Sequence, residues 1–281
     1  MIAFLNGRFV AEREAVVSVF DRSFLYGDGL FETLLVCNGK LFRLEQHLDR
    51  LQRGADFLSL RLPFSREATA GFATELIERN RLAHGALRLT LSRGVGTRGY
   101  SPHGADYPFL VMTVHASAAH DPHYPPQWRL VTSLFRLPAK EPLARFKTCN
   151  KLPQILARAE AEARGADEAL LLNTDGLVIE AASSNLFWIA DGTVCTPPLE
   201  SGVLAGVTRA VILELCQRLG LPTRLALLPP DALSQQDAVF LSLSTLGIVE
   251  AMTLDGGELP RSAVVARIRD GYWQLVHEET A

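Results

Sequence analysis

The sequence predicts an α+β or mixed α/β protein of two domains, on three observations. Hairpin and helix patterns alternate through the first third, a stretch bearing Pro122, Pro125 and Pro126 interrupts them, and strand patterns restart from Trp128. The expected division is a smaller N-terminal α/β domain over 1–117, a linker over 118–127, and a larger C-terminal α/β domain over 128–281 that carries the reactive lysine discussed below. At 281 residues, 48% apolar and 21% charged, the chain can build that much core. The default site in such an architecture is a cleft between domains.

The elements follow in order. Ile2–Leu5, Asn6-Gly7 and Arg8–Val10 read as strand, tight turn and strand. Val16–Phe20 and Phe31–Cys37 read as further strands, with Asn38-Gly39 turning the chain after the second. Leu44, Leu48, Leu51, Ala55 and Leu58 recur at helical steps and predict a helix with one buried face. Ser65 is placed to cap a second helix over Arg66–Asn80. Strand pattern returns at Ala86–Arg93 and Pro108–His115, separated by Gly94–Gly104, which is too glycine-rich for regular structure. Beyond the linker, strands are expected at 129–135, 168–173, 177–180, 185–190, 223–228, 238–243 and 248–254, and helices at 152–164 and 207–219. In the first of these helices Leu152, Ile155, Leu156, Ala159 and Ala163 share a face, which is expected to pack inward and draw the preceding loop with it.

Composition excludes several function classes. Net charge is −3 with no basic run, which argues against nucleic acid as a partner. No apolar run reaches the roughly 18 residues of a membrane span, and the N-terminus lacks the basic and apolar regions of a secretory signal. Cys37, Cys149, Cys195 and Cys216 are scattered, so a reducing cytoplasm without disulfides is expected. His120 and His123 lie in the linker without a third ligand, so no metal is expected.

Lysine is scarce: of 28 basic residues only Lys40, Lys140, Lys147 and Lys151 are lysines. Arginine stays protonated, whereas a desolvated lysine can lose its proton and attack a carbonyl. Two of the four stand in Arg145-Phe-Lys-Thr-Cys-Asn-Lys151, just before the helix at 152, and suggest Schiff-base chemistry. Lys147 is the first candidate. Lys151, at the helix N-terminus where a cation is disfavoured, is its rival, and spacing does not separate them.

Glu180 ends a hairpin strand just before Ala181-Ala-Ser-Ser-Asn185 and an apolar strand, where a carboxylate must be paired, unless it faces water. Ser201-Gly-Val-Leu-Ala-Gly206-Val207-Thr208-Arg209 opens a helix whose unsatisfied N–H groups suit a phosphate. Leu241-Ser-Leu-Ser-Thr245 adds hydroxyls after a strand. Arg50 reads by itself as a surface residue paired with Glu45 or Asp49, and Arg98, in the glycine-rich loop, as a clamp for a substrate carboxylate. A lysine, a carboxylate, a helix-terminal phosphate site and an extra arginine are together what pyridoxal 5'-phosphate (PLP) requires. A non-catalytic vitamin-phosphate binder is the alternative from another class, since it would keep the pocket without needing Lys147.

Five segments extend this into a resemblance over nearly the whole chain: Tyr26–Thr33, His47–Leu51, Lys147–Asn150, Glu180–Phe187 and Gly206–Arg209. Together they resemble the fold-type IV PLP family of branched-chain and D-amino acid aminotransferases and aminodeoxychorismate lyase. The resemblance implies Lys147 as Schiff-base lysine, Glu180 as partner of the pyridine nitrogen, and Arg50, Val207, Thr208 and Ser244 as phosphate ligands. It also implies a homodimer. Phe31-Glu-Thr33, Arg98-Gly-Tyr-Ser101 and Asn185-Leu-Phe-Trp188 are most similar to the lyase, with Phe31, Arg98 and Lys151 as substrate contacts. Branched-chain enzymes carry tyrosine where Lys151 stands, and D-amino acid enzymes carry it where Phe31 stands. Arg98 aligns with the carboxylate-trapping arginine of the latter, and Ser242–Leu246 departs from the lyase pattern, so an aminotransferase is the alternative activity.

Overall fold

Asn6 and Gly7 both take positive φ (43° and 97°) and turn strand β1 (Ile2–Leu5) into β2 (Arg8–Ala11), pairing Phe4 with Phe9. After helix α1 (Arg22–Tyr26), capped by the Asp21 carboxylate, the chain runs through β3 (Gly29–Cys37), β4 (Lys40–Leu41), α2 (Leu44–Phe57), α3 (Arg66–Asn80), β5 (Gly85–Ser92) and β6 (Phe109–Ala116). The computed structural model describes residues 1–281. These elements belong to the first of two units, Met1–Ala119 with Phe146–Asn150 and Val276–Ala281; the second is His120–Arg145 with Lys151–Leu275.

The first unit is an antiparallel sheet of order β2-β1-β6-β5-β3-β4. Leu48 and Leu51 of α2 and Leu76 and Ile77 of α3 pack on Leu30, Leu34, Leu87 and Leu89 of the sheet, each buried leucine contributing about 2 kcal/mol. Ser65 accepts from Ala68 N–H at 3.2 Å and caps α3 as its sequence predicts. Val16–Phe20 forms no ladder, against expectation: Val16, Val17, Val19 and Phe20 are exposed, and β-branched composition without a neighbouring strand makes no sheet.

Residues 147–149 line the edge of β3 away from β5. Phe31 N–H donates to Lys147 C=O at 2.8 Å, Cys149 N–H donates to Gly29 C=O at 2.9 Å, and Thr148 lies opposite Leu30. Lys147 is expected on the C-terminal domain from its place in the sequence. This ladder instead groups it with the first unit.

The second unit contains β7 (Gln127–Leu137), α4 (Leu152–Ala163), β8 (Glu168–Asn173), β9 (Val178–Ala181), β10 (Asn185–Ala190), β11 (Thr193–Thr196), α5 (Val207–Arg218), β12 (Thr223–Leu225), α6 (Pro230–Leu233), β13 (Ala238–Leu243), β14 (Gly247–Leu254) and β15 (Gly257–Glu258). The final helix α7 (Ala263–Thr280) begins here, and its last turn groups with the first unit. Strand order is β12-β11-β10-β13-β14-β7-β8-β9, with β15 on β14. A single pairing, Asn185 opposite Glu180, joins β9 back to β10, so six strands close on themselves at that point. One strand face clusters around Trp188, Leu186, Leu241 and Val249, and Ala169, Leu171 and Ile179 pack with Ala157 and Ala161 of α4.

Three expectations need correction here. Helix α4 buries only Ala157 and Ala161: Leu152, Ile155, Leu156, Ala159 and Ala163, all expected to face inward, are exposed. The strand expected at 223–228 stops at Leu225, an exposed parallel edge before Pro229-Pro230. Helix α7 is absent from the expected elements, although Val265, Ile268, Tyr272 and Val276 are buried at helical spacing.

Candidate active site

Strand β3 distributes the functional groups of the first unit. Successive side chains on a strand point to opposite faces, so Phe31 and Glu32 serve different surroundings. The Phe31 ring lies 4.7 Å from Lys147 Nζ and 3.9 Å from the Arg88 guanidinium carbon. Arg88 stands opposite Thr33 on β5, half-buried, with no hydrogen bond or ion pair to any protein group. Burial lowers its pKa, because water no longer solvates the charge and no carboxylate replaces it. The sequence reading misses Arg88: a lone arginine in an alternating strand carries no signature until its cross-strand neighbour is known.

Glu32 points toward α2, where His47 and Arg50 lie three residues apart on one helix face. Arg50 Nε donates to Glu32 Oε1 at 2.7 Å and Nη2 to Oε2 at 2.5 Å, while His47 Nδ1 lies 2.7 Å from Oε2. All three residues are at most 5% exposed. Burial pushes the Glu32 carboxyl upward, but the Arg50 charge and the hydrogen bonds from Arg50 and His47 outweigh it and hold the pKa at about 2. Burial pushes His47 downward, and its contact with Glu32 opposes that only in part. The surface pairing of Arg50 with Glu45 or Asp49, expected from local sequence, does not form; those carboxylates instead bind Arg66.

In the second unit the strand closure places Glu180 and Asn185 on one residue, Leu204. Glu180 Oε2 accepts from Leu204 N–H at 3.0 Å, and Asn185 Nδ2 donates to Leu204 C=O at 2.9 Å. Glu180 is therefore buried rather than facing water. This grip delivers Gly206 to the head of α5, where a Cβ would collide with Asn185 Oδ1. Helix α5 has no side-chain cap, so the N–H groups of Val207 and Thr208 open its first turn as an anion site requires. Arg209 is an anchor: it donates to Pro197 C=O at 3.0 Å, and burial lowers its pKa. Ser242, opposite Asn185, is buried with an unpartnered hydroxyl, and Ser244 follows at half-burial.

The two remaining expected substrate contacts are Arg98 and Lys151. Arg98 is exposed without a hydrogen bond or ion pair, in a loop that Arg22 holds through Gly99 C=O (2.9 Å) and Tyr100 C=O (3.1 Å). Lys151 is half-buried at the N-cap of α4. His120 of the expected linker stacks on Trp273 at 3.8 Å, and no cluster of metal-ligating side chains is present.

Residues 29–252 match the family model for amino-transferase class IV. The chain belongs to that family. Among its relatives, D-alanine aminotransferase of Staphylococcus aureus (strain N315) is 31% identical over 254 residues, covering 90% of this chain and 89% of that protein. A solved structure of 4-amino-4-deoxychorismate lyase from Pseudomonas aeruginosa is similar at TM-score 0.85 and 33% identity, covering 99% of this chain and 100% of that one. The branched-chain aminotransferase of the archaeon Thermoproteus uzoniensis, solved with norvaline, matches at TM-score 0.91 and 28% identity over 98% of this chain and 94% of that one.

Class IV enzymes use PLP, and a similar branched-chain aminotransferase is solved with pyridoxamine 5'-phosphate. The residues present here fit that cofactor. The uncapped start of α5 and the buried unpartnered Ser242 hydroxyl suit a phosphate-bearing ring. A buried carboxylate already held by one N–H suits a protonated ring nitrogen.

Proposed function

We propose that this class IV enzyme is a lyase that converts 4-amino-4-deoxychorismate to 4-aminobenzoate and pyruvate, a step of folate biosynthesis. Arg88 carries the reading. Its desolvated guanidinium has no carboxylate partner and shares the Phe31 ring with the Lys147 amine. A small substrate that bears an amine and carboxylates satisfies both. The end-to-end match to the Pseudomonas lyase and the Phe31-Glu-Thr33 and Asn185–Trp188 segments favour the lyase within the family.

In this reading Lys147 attaches to the cofactor, Glu180 holds its pyridine nitrogen, and Arg50, Ser244 and the α5 groups Val207 and Thr208 hold its phosphate. When bound, the protonated ring draws electron density from the substrate carbon that bears nitrogen. Lys147 Nζ would take the proton from that carbon and return it to the enolpyruvyl group as its C–O bond breaks and it leaves as pyruvate. Arg88, with Arg98 and Lys151, holds the substrate carboxylates while pyruvate leaves and the ring becomes aromatic. Phe31 keeps water from the amine.

The second reading is an aminotransferase acting on D-amino or branched-chain amino acids, favoured by the match to the D-alanine enzyme. The two separate in one experiment: the purified protein is given 4-amino-4-deoxychorismate, or a D- or branched-chain amino acid alone. A lyase releases 4-aminobenzoate and pyruvate and accumulates no pyridoxamine phosphate. Stoichiometric pyridoxamine phosphate without 4-aminobenzoate overturns the proposal. We also place the enzyme in the cytoplasm as a homodimer, a reading supported by four free cysteines and by the exposed Leu152, Ile155 and Leu156 of α4.

A further inference from the structure

We infer that Glu32, backed by His47, is a positioning residue that orients the Arg50 guanidinium for the cofactor phosphate; this rests on Arg50 being a phosphate ligand. A carboxylate beside an anion-binding arginine cancels part of the arginine's field. If attraction alone mattered, a neutral side chain at position 32 would hold phosphate better. The geometry points to a different task. Both Glu32 oxygens are used by Arg50, through Nε and Nη2, so the plane of the guanidinium is fixed rather than free to rotate. His47, one turn earlier on α2, holds Oε2 and thereby fixes Glu32 in turn. The same strand thus sets two groups: Phe31 meets Lys147 and Arg88, and its neighbour Glu32 sets Arg50.

The experiment compares the dissociation constants of PLP and of pyridoxal, which lacks the phosphate. Their ratio isolates grip on the phosphate from general damage to the fold. For Glu32→Gln, PLP binding is expected to weaken about tenfold to a hundredfold, the loss of one charge-assisted hydrogen bond, while pyridoxal binding is unchanged. An unchanged ratio, or tighter PLP binding, overturns the inference; the latter would show that Glu32 acts only by cancelling charge. Arg50→Met tests the underlying reading separately. If it leaves the ratio unchanged, Arg50 is not a phosphate ligand, whatever Glu32 does. Because a buried Arg50 left without its carboxylate can prevent folding, the double variant Glu32→Leu/Arg50→Met removes both charges together. Its ratio is expected to equal that of Arg50→Met alone, and a further fall would mean that Glu32 acts by another route. Glu32→Asp, which keeps the charge but shortens its reach, is expected to lose part of the ratio and provides the single-site test if Glu32→Gln does not fold.

Discussion

At the residue scale, Glu32 and His47 make the first unit sensitive to acid in two steps. His47 has a folded pKa below its ordinary value of 6.5, so the unfolded chain binds its proton first and stability falls as pH drops through that range. Glu32 is depressed from 4.5 to about 2, so its contribution is complete above pH 4.5 and is lost between there and 2, about 3 kcal/mol in all. Urea unfolding from pH 7 to pH 3 should show both losses, and Glu32→Gln should flatten the lower one. Arg88 supports a separate prediction: Arg88→Gln should raise the substrate KM about tenfold to a hundredfold while leaving the cofactor absorbance intact. Arg88→Lys should not restore it, since an ammonium lacks the planar fork. Lys147, Glu180 and Arg50 can be singled out through the segments that carry the family resemblance, whereas local sequence alone leaves Lys147 level with Lys151 and reads Arg50 as a surface residue. Arg88 cannot, and neither can the Glu32 partner of Arg50, because both depend on which strand or helix lies alongside.

At the element scale, the close approach at Gly206 is the most exacting feature. A methyl group there meets Asn185 Oδ1, so Gly206→Ala must displace the Leu204–Gly206 turn. We expect Tm to fall by about 3–8 °C, with weaker PLP binding. A variant with unchanged Tm and affinity would show that the turn has room to spare. Helix α2 and strands β3, β5, β8, β10 and β13 follow from the apolar pattern and α3 from its Ser65 cap, and each buries apolar side chains within one unit. The expectation for α4 fails for a related reason. Periodicity finds an apolar face but does not say what covers it, and small Ala157 and Ala161 form the packed side. Val16–Phe20 has strand composition and no partner, which sequence does not reveal.

At the scale of the whole molecule, the domain order read along the chain misses two exchanges, since residues 146–150 and Val276–Ala281 both belong to the first unit. Residues 146–150 join the first unit through backbone hydrogen bonds to β3, a long-range pairing with no local signal. The exposed leucines and isoleucine of α4 bear on assembly. Sedimentation should show a dimer, and Leu152→Glu/Ile155→Glu should shift it to the mass of a single chain. A wild-type monomer would contradict the proposed homodimer. The central claim concerns Lys147, and borohydride reduction of the PLP-loaded protein followed by peptide mapping tests it most directly. The account predicts loss of the yellow absorbance band with the phosphopyridoxyl label on Lys147 alone. Label on Lys151, or a yellow protein that borohydride leaves unmodified, would contradict it.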